Sequence, residues 1–382
     1  MRKTALLLAL VAMATLLASG VAFTQVPENG GSDRYIVVLK DNVYSPSRVA
    51  AGIERRQNLG AGFVYSHALK GFSATIPYGR LDEVRADPRV AYIERDRPMH
   101  AADQVIPWGI DKINADLSST QAGNGSGAVA NVNVYVIDSG IYASHPDLNV
   151  VTPPVNFTGD PPGDCYGHGT HVAGTIAAID NVRDVVGVAP GAPLTDVKVL
   201  DCAGSGSAST IIEGIDWVTA NAVKPAVANL SISGPASQAV DDAVSKSASS
   251  GVFYSVAAGN DGRRACNYSP ARAGAGTNNG IVTTAAINSL GAEPSWSNYG
   301  KCVDIWAPGT SILSTKFGGG TTTMSGTSTA APHVGGTGAL YLSSHTAAAP
   351  ATVESALKAS AVRTGKTSKD GRSIRRVNAG GY

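Results

Sequence analysis

From about Pro107 onward, short apolar runs alternate with stretches of helical spacing. "VNVYVID" (132–138), "APLTDVKVL" (192–200), "AVANLSIS" (226–233), "VFYSVAAG" (252–259) and "IVTTAAI" (281–287) are the strand candidates, and several are nearly continuous in apolar residues. A strand with one wet face alternates apolar and polar positions, so such runs require burial on both faces. Between them, "HVAGTIAAI", "TIIEGIDWVTAN" and "AVDDAVSKSASS" carry apolar residues at helical spacing. The alternation predicts an α/β domain with a doubly wound, mostly parallel sheet. Ligand sites in such sheets lie beyond the carboxyl ends of the strands.

The region from Arg34 to about His100 has a different texture. "RYIVVLK" predicts a strand, "SRVAAGIERRQ" a helix, "FVYSHALKGFSATIP" a hairpin, "GRLDEVRADP" a helix and "VAYIERD" a last strand. The order βαββαβ suits a small ferredoxin-like α+β domain. Ahead of it, "MRKTALLLALVAMATLLASGVAF" places Arg2 and Lys3 before an apolar run that ends in small residues. This is the layout of an export signal, and Gly20 and Ala22 favour cleavage near Ala22 over a retained membrane anchor. The expected organisation is therefore a signal at 1–22, a small domain at 23–100 and the α/β domain at 101–382. An exported, extracellular chain can oxidise its four cysteines. A net charge of +1 with 15% charged residues excludes the basic face of a nucleic-acid binder.

Four positions carry the expected chemistry. Asp138 closes the first strand, where its plainer role is to cap a turn before Ser139-Gly140. His168 lies in "GHGTHVAGT" (167–175), just before a helix expected to start near His171. A helix N-terminus disfavours imidazolium, and a neutral ring can act as a general base. Ser328, in "SGTSTAAPHVGG", precedes an apolar helix with Pro332 near its start. Its plainer role is an N-cap, a task that Ser325 or Thr327 can also fill. Asn260, in "VAAGNDG", is either a turn residue or an amide donor to a developing oxyanion. Asp164, Cys165, His168 and His171 are of types that also suit zinc, but the histidines are three apart with no adjacent Glu, unlike the helical zinc-protease pattern. His171 is expected to pack, hydrogen-bonded within its helix. Only one of the known serine-protease chain orders runs Asp, His, Ser.

With these pieces in hand, the chain resembles the subtilisin-like serine proteases, in their proteinase K and aqualysin branch. "VYVIDSG", "GHGTHVAGT", "VKVLDCAGSGS", "VANLSISG", "VAAGND", "CNYSPAR", "SNYGKCVDIWAPG" and "SGTSTAAPHVGG" carry the resemblance in order across 107–342. It implies a secreted serine endopeptidase with Ser328 as nucleophile, His168 as base, Asp138 behind it, and Asn260 in the oxyanion hole. It also implies that Gly204, Ser205 and Gly206, with Ser231, Ile232 and Ser233, pair with an extended peptide or protein substrate. The segment before it resembles the family's inhibitor-type propeptide, self-cleaved near His100–Ala101. The implied disulfides are Cys165–Cys202 and Cys266–Cys302, although four cysteines alone leave three pairings open. A monomer is expected, without nucleic acid, membrane or catalytic cofactor. Structural calcium is a family property whose position here is unknown, since Asn288 stands where relatives commonly have an aspartate ligand. Thr329 and Ser233 depart from the family's usual Met and Gly. The competing readings are a zinc hydrolase and a catalytically inactive binding module on the same fold.

Overall fold

The computed structural model describes residues 32–96, 104–276 and 278–382, so the expected signal (1–22) and the His100–Ala101 junction lie outside the described residues. The chain divides into two units, Met1–Met99 and His100–Tyr382. In the first, β1 (Ser32–Leu39), α1 (Pro46–Gln57), β2 (Gly60–Tyr65), β3 (Gly71–Pro77), α2 (Leu81–Arg85) and β4 (Val90–Arg95) follow the order βαββαβ. The strands form one antiparallel sheet ordered β2-β3-β1-β4. Alternate residues turn to one face: Tyr35, Val37 and Leu39 of β1, and Phe72, Ala74 and Ile76 of β3, pack with Ile53 of α1 and Val84 of α2. Pro46 starts α1, left-handed Asn58 ends it, and Arg55 and Arg56 sit in the last turn, where cations suit the helix dipole.

The second unit contains α3 (Trp108–Lys112), β5 (Asn133–Asp138), β6 (Val155–Asn156), α4 (His168–Ala177), β7 (Leu194–Lys198), α5 (Ala208–Asn221) and β8 (Ala226–Leu230). There follow β9 (Gly234–Pro235), α6 (Gln238–Ser249), β10 (Val252–Ala257), β11 (Tyr268–Ser269), β12 (Ile281–Ile287), β13 (Ile305–Pro308), β14 (Ile312–Thr315) and β15 (Thr321–Met324). Last come α7 (Thr327–Ser344), α8 (Pro350–Ser360), β16 (Val362–Thr367) and β17 (Ser373–Arg376). Nine strands form one sheet, ordered β16-β17-β13-β12-β10-β8-β5-β7-β6. All of its pairs are parallel except β16 with β17. From β5 the chain moves outward to β7, then returns past β5 to β8. That reversal opens a crevice at the carboxyl ends. Asp138 ends β5 there, Ser231–Ser233 follow β8, and Asn260 follows β10.

The strands bury both faces, as their apolar runs require. Val134 and Val136 of β5 join Val172 of α4, Val334 of α7 and Val353 of α8. Tyr135 and Ile137, pointing the other way, join Ile215 and Val218 of α5 and Val244 of α6. Two of the departures from the sequence reading concern strand ends and edges. β8 stops at Leu230, because Ser231 turns its hydroxyl to the Ser328 carbonyl instead of continuing the ladder. β16, "VRTGKT", is a polar and mostly exposed edge strand without an apolar run to announce it.

α7 lies in the core with three interior glycines, Gly335, Gly336 and Gly338. A Cβ on Gly338 would lie 2.5 Å from Phe253 Cε1, and one on Gly336 would lie 2.6 Å from Val188 Cβ. Helix propensity alone credits Gly→Ala with about 1 kcal/mol, whereas overpacking a core costs about 1–3 kcal/mol. Gly338→Ala is therefore expected to lower the Tm in circular-dichroism melting. A raised Tm would mean that α7 has room to spare.

Candidate active site

Asp138 is fully buried at the end of β5. Its Oδ1 accepts the Ser139 N–H at 2.7 Å and lies 2.7 Å from His168 Nδ1. The turn-capping role and the partnership with histidine thus coexist on one oxygen. α4 begins at His168, not near His171, with Gly167 as N-cap at φ +100°. The glycines of "GHG" make the encounter possible. A Cβ on Gly169 would lie 2.1 Å from the Gly140 carbonyl oxygen, so only glycine lets the first turn of α4 rest on the turn that follows Asp138.

Asp164 organises this loop, a role the sequence reading missed. It accepts hydrogen bonds from Ser139 Oγ, Thr170 Oγ1 and the N–H groups of Tyr166, Gly167 and Thr170. The signal was present as an Asp four residues before the His, in a run whose backbone needs an acceptor. Burial pushes the His168 imidazole down, but contact with the Asp138 carboxylate, with Asp164 behind it, more than offsets this and holds its pKa above the ordinary value. The direction is opposite to that expected from the helix N-terminus alone.

Gly326 caps α7, so none of Ser325, Thr327 and Ser328 is the N-cap. Ser325 Oγ instead accepts the Ser311 N–H, and the Thr327 hydroxyl donates to Asn260 Oδ1. Ser328 is the second residue of the helix. Pro332 is its sixth, deeper than the free-donor turn expected from sequence, and its missing N–H leaves the Ser328 carbonyl without a helical donor. Ser231 Oγ supplies that donor at 2.7 Å and in turn accepts from Asn229 Nδ2 at 2.8 Å. Thr327 N–H also donates to Asn260 Oδ1, at 2.8 Å, which turns the amide's Nδ2 away. A Cβ on Gly326 would lie 2.7 Å from Ser328 Oγ and 3.3 Å from Asn260 Nδ2, so the two groups converge on one space.

His168, Asn260 and Ser328 line a single cleft of about 570 Å³. Gly204, Ser205 and Gly206 border it, as do Ser231, Ile232 and Ser233. Ser205 commits its N–H to Asp201 Oδ1 and its carbonyl to the Asp201 N–H, and the Gly204 N–H donates to the Asp201 carbonyl. Ser233 Oγ lies against Gly259, where φ is +100° and a Cβ would come within 2.7 Å of it. Thr329 is buried and donates to the carbonyl of Gly326 at 2.9 Å.

The zinc reading does not fit the arrangement. Cys165 is bonded to Cys202 and Cys266 to Cys302. Asp164 is saturated with donors. His171 is buried, its ring pushed down to about 4, and its Nε2–H donates to the Ile312 carbonyl on β14, across from the helix and not within it. A different group of oxygens suits a hard cation. Gln104 Nε2 reaches the carbonyls of Ile179 (2.6 Å) and Val185 (2.9 Å), while its Oε1 is buried without a partner. Beside them the buried Asp147 carboxyl, pushed up to about 6 by burial, accepts from Asn181 Nδ2. Asn288 instead folds its own loop, accepting the N–H groups of Leu290 and Ala292.

Residues 130–380 match the model of the subtilase family, and residues 34–102 match that of the peptidase inhibitor I9 family. Among curated proteins, the extracellular serine proteinase of Thermus sp. (strain Rt41A) is 45% identical over 77% of this chain and 71% of its own length. Alkaline serine exoprotease A of Vibrio alginolyticus is 40% identical over 91% of this chain and 67% of its own length. Subtilisin E of Bacillus subtilis (strain 168) is 38% identical over 98% and 97%. The solved structure of a cold adapted subtilisin-like serine proteinase covers 73% of this chain and 99% of its own, with 37% identity and a TM-score of 0.64. Among the described residues, no helix is long and apolar enough to cross a membrane. With matches of this extent across both segments, the chain belongs to the subtilase family of serine endopeptidases and carries an I9 inhibitor-type propeptide ahead of its peptidase domain.

Proposed function

We propose that Asp138, His168 and Ser328 form the catalytic triad of this endopeptidase, with Asn260 and the Ser328 N–H as its oxyanion hole. The 2.7 Å contact of Asp138 Oδ1 with His168 Nδ1, at the rim of the cleft that also holds Ser328, is the observation that carries the assignment. Ser328 Oγ attacks the peptide carbonyl carbon and passes its proton to His168 Nε2. Asp138 keeps the other ring nitrogen protonated and stabilises the imidazolium. The Ser328 N–H is one of the first-turn donors that α7 leaves unused, and the positive end of the helix points at the same place. With Asn260 Nδ2 it stabilises the oxyanion. His168 returns the proton to the leaving amine, and water repeats the sequence on the acyl-enzyme. The raised His168 pKa means that the base form is lost as pH falls, so the acid side limits activity.

Extended substrate pairs its main chain with Gly204–Gly206 on one side and with Ser231–Ser233 on the other. The chain is exported as a monomeric precursor, loses residues 1–22, and is inhibited by its own propeptide until it cuts near His100–Ala101. Extracellular relatives and the I9 match support this course. Cell-free synthesis from Phe23 onward, followed by intact mass, is expected to show loss of the propeptide in the wild type and not in Ser328→Ala. Equal cutting of both would remove the nucleophile assignment. Asn260→Ala, which deletes one oxyanion donor, is expected to lower kcat by about 10²- to 10³-fold with KM little changed.

No cofactor takes part in the chemistry. Calcium is proposed as a structural ion held by the carbonyls of Ile179 and Val185, Gln104 Oε1 after an amide turn, Asp147 and Asn181. Oxygen donors with a carboxylate among them are what this cation takes. Chelation is expected to lower the Tm of the wild type by several degrees and to leave Asp147→Ala, already less stable, unmoved. A wild-type Tm indifferent to calcium would refute the site.

A further inference from the structure

Asp196 has no place in the mechanism above, yet it lies next to it. It sits in the middle of β7 and is fully buried. Parallel register sets Asp196 beside Val136 and Lys198 beside Asp138. Leu194 shares a cluster with Val134 and Val136, whereas Val197 and Val199 belong with Ile137 on the opposite face. Asp196 and Lys198, at even spacing from Leu194, therefore share a face with Asp138. The charged groups that act on it are Asp164 in the loop before α4, Lys198 on its own strand and Asp138 on β5, with His168 on the far side of Asp138.

These groups are unequally satisfied. Asp164 receives donors on both oxygens. Asp138 holds two on Oδ1. Lys198, fully buried, donates to the Ser139 carbonyl at 2.6 Å and lies 3.3 Å from Cys165 Sγ, so it is aimed away from Asp196. Asp196 alone among the three aspartates has no hydrogen-bond partner on either oxygen. A buried carboxylate without donors is costly, and the group takes a proton instead.

We propose that Asp196 is a positioning residue for the triad, acting through His168: it is the protonated member of this aspartate cluster, and its ionisation adds a negative charge that stabilises the imidazolium formed during acylation. The proton it releases goes to solvent. Burial, then the neighbouring Asp164 and Asp138 carboxylates, push it up to about 7, against the pull of Lys198. Asp164 and Asp138 act on both Asp196 and His168, which ties the two titrations together. The inference rests on the triad assignment.

The sign of the effect can be worked out. At low pH, Asp196 is neutral and equivalent to Asn. At high pH, its charge raises the affinity of His168 for a proton and stabilises the imidazolium in the transition state by the same amount. Profiles of kcat/KM for the matured wild type and Asp196→Asn, from about pH 5 to about pH 10, are therefore expected to converge on the acid side. On the plateau the wild type should be about 3- to 10-fold faster, with its acid midpoint about half to one pH unit higher. Curves offset by one constant factor at every pH would make Asp196 a packing residue, and superimposable curves would show no coupling. Either result overturns the proposal.

A second measurement does not depend on the variant folding. In full-length Ser328→Ala, infrared titration is expected to show a carboxylic-acid stretch that vanishes as pH rises through about 7. Asp304, also lifted by burial, ionises earlier, at about 6. Absence of the later band overturns the proposal. A Ser328→Ala chain that still cleaved peptides would instead remove the triad assignment.

Discussion

The site depends on a contact between two backbones without side chains. The first turn of α4 lies on the turn after β5, with the position of a Gly169 Cβ only 2.1 Å from the Gly140 carbonyl oxygen. Any side chain there would lift α4 away and part His168 from Asp138. Once the turns touch, Asp164 gathers the loop's free N–H groups and Ser139 bridges the two segments, its hydroxyl donating to Asp164 and accepting from Gly169. The Cys165–Cys202 bond ties the same loop to the cleft edge beyond β7. The chemistry is held by backbone fit first and by side-chain bonds second.

Much of this was legible in the sequence because burial on two faces leaves a continuous apolar run, and such runs named five of the parallel strands. Asp138, His168, Asn260 and Ser328 were singled out by position at strand and helix ends together with the family resemblance; the structure sets Asp138 against His168 and places His168, Asn260 and Ser328 on one cleft. What escaped has physical reasons. β16 is polar and exposed, so it has no periodic signal. The helix start at His168 was hidden because its N-cap is a glycine rather than Ser, Thr, Asp or Asn. The role of Ser231 depends on a contact across 97 residues, which no local pattern encodes, and the bridge from Asp164 to Ser139 spans 25. The direction of the His168 shift depends on the Asp138 carboxylate, a tertiary neighbour that outweighs the local helix terminus.

The same crevice gathers four buried ionisable groups. Asp138, Asp164, Asp196 and Lys198 are all withdrawn from water near the carboxyl ends of β5 and β7. Burial of ions is costly unless each finds donors, and here the donors are distributed unevenly. Across the neighbouring strands the positions in register with Asp196 are Val136, Asn229 and Ser255, so the ionisable groups are confined to β5, β7 and the loop before α4.

Pro332 has a mechanical consequence. By withholding one N–H, it gives the carbonyl of Ser328 to the hydroxyl of Ser231. The rim on which a peptide would lie and the residue that would attack it are thereby latched as one solid piece. A peptide drawn into register against that rim bears on the start of α7 directly, without a hinge between docking and attack.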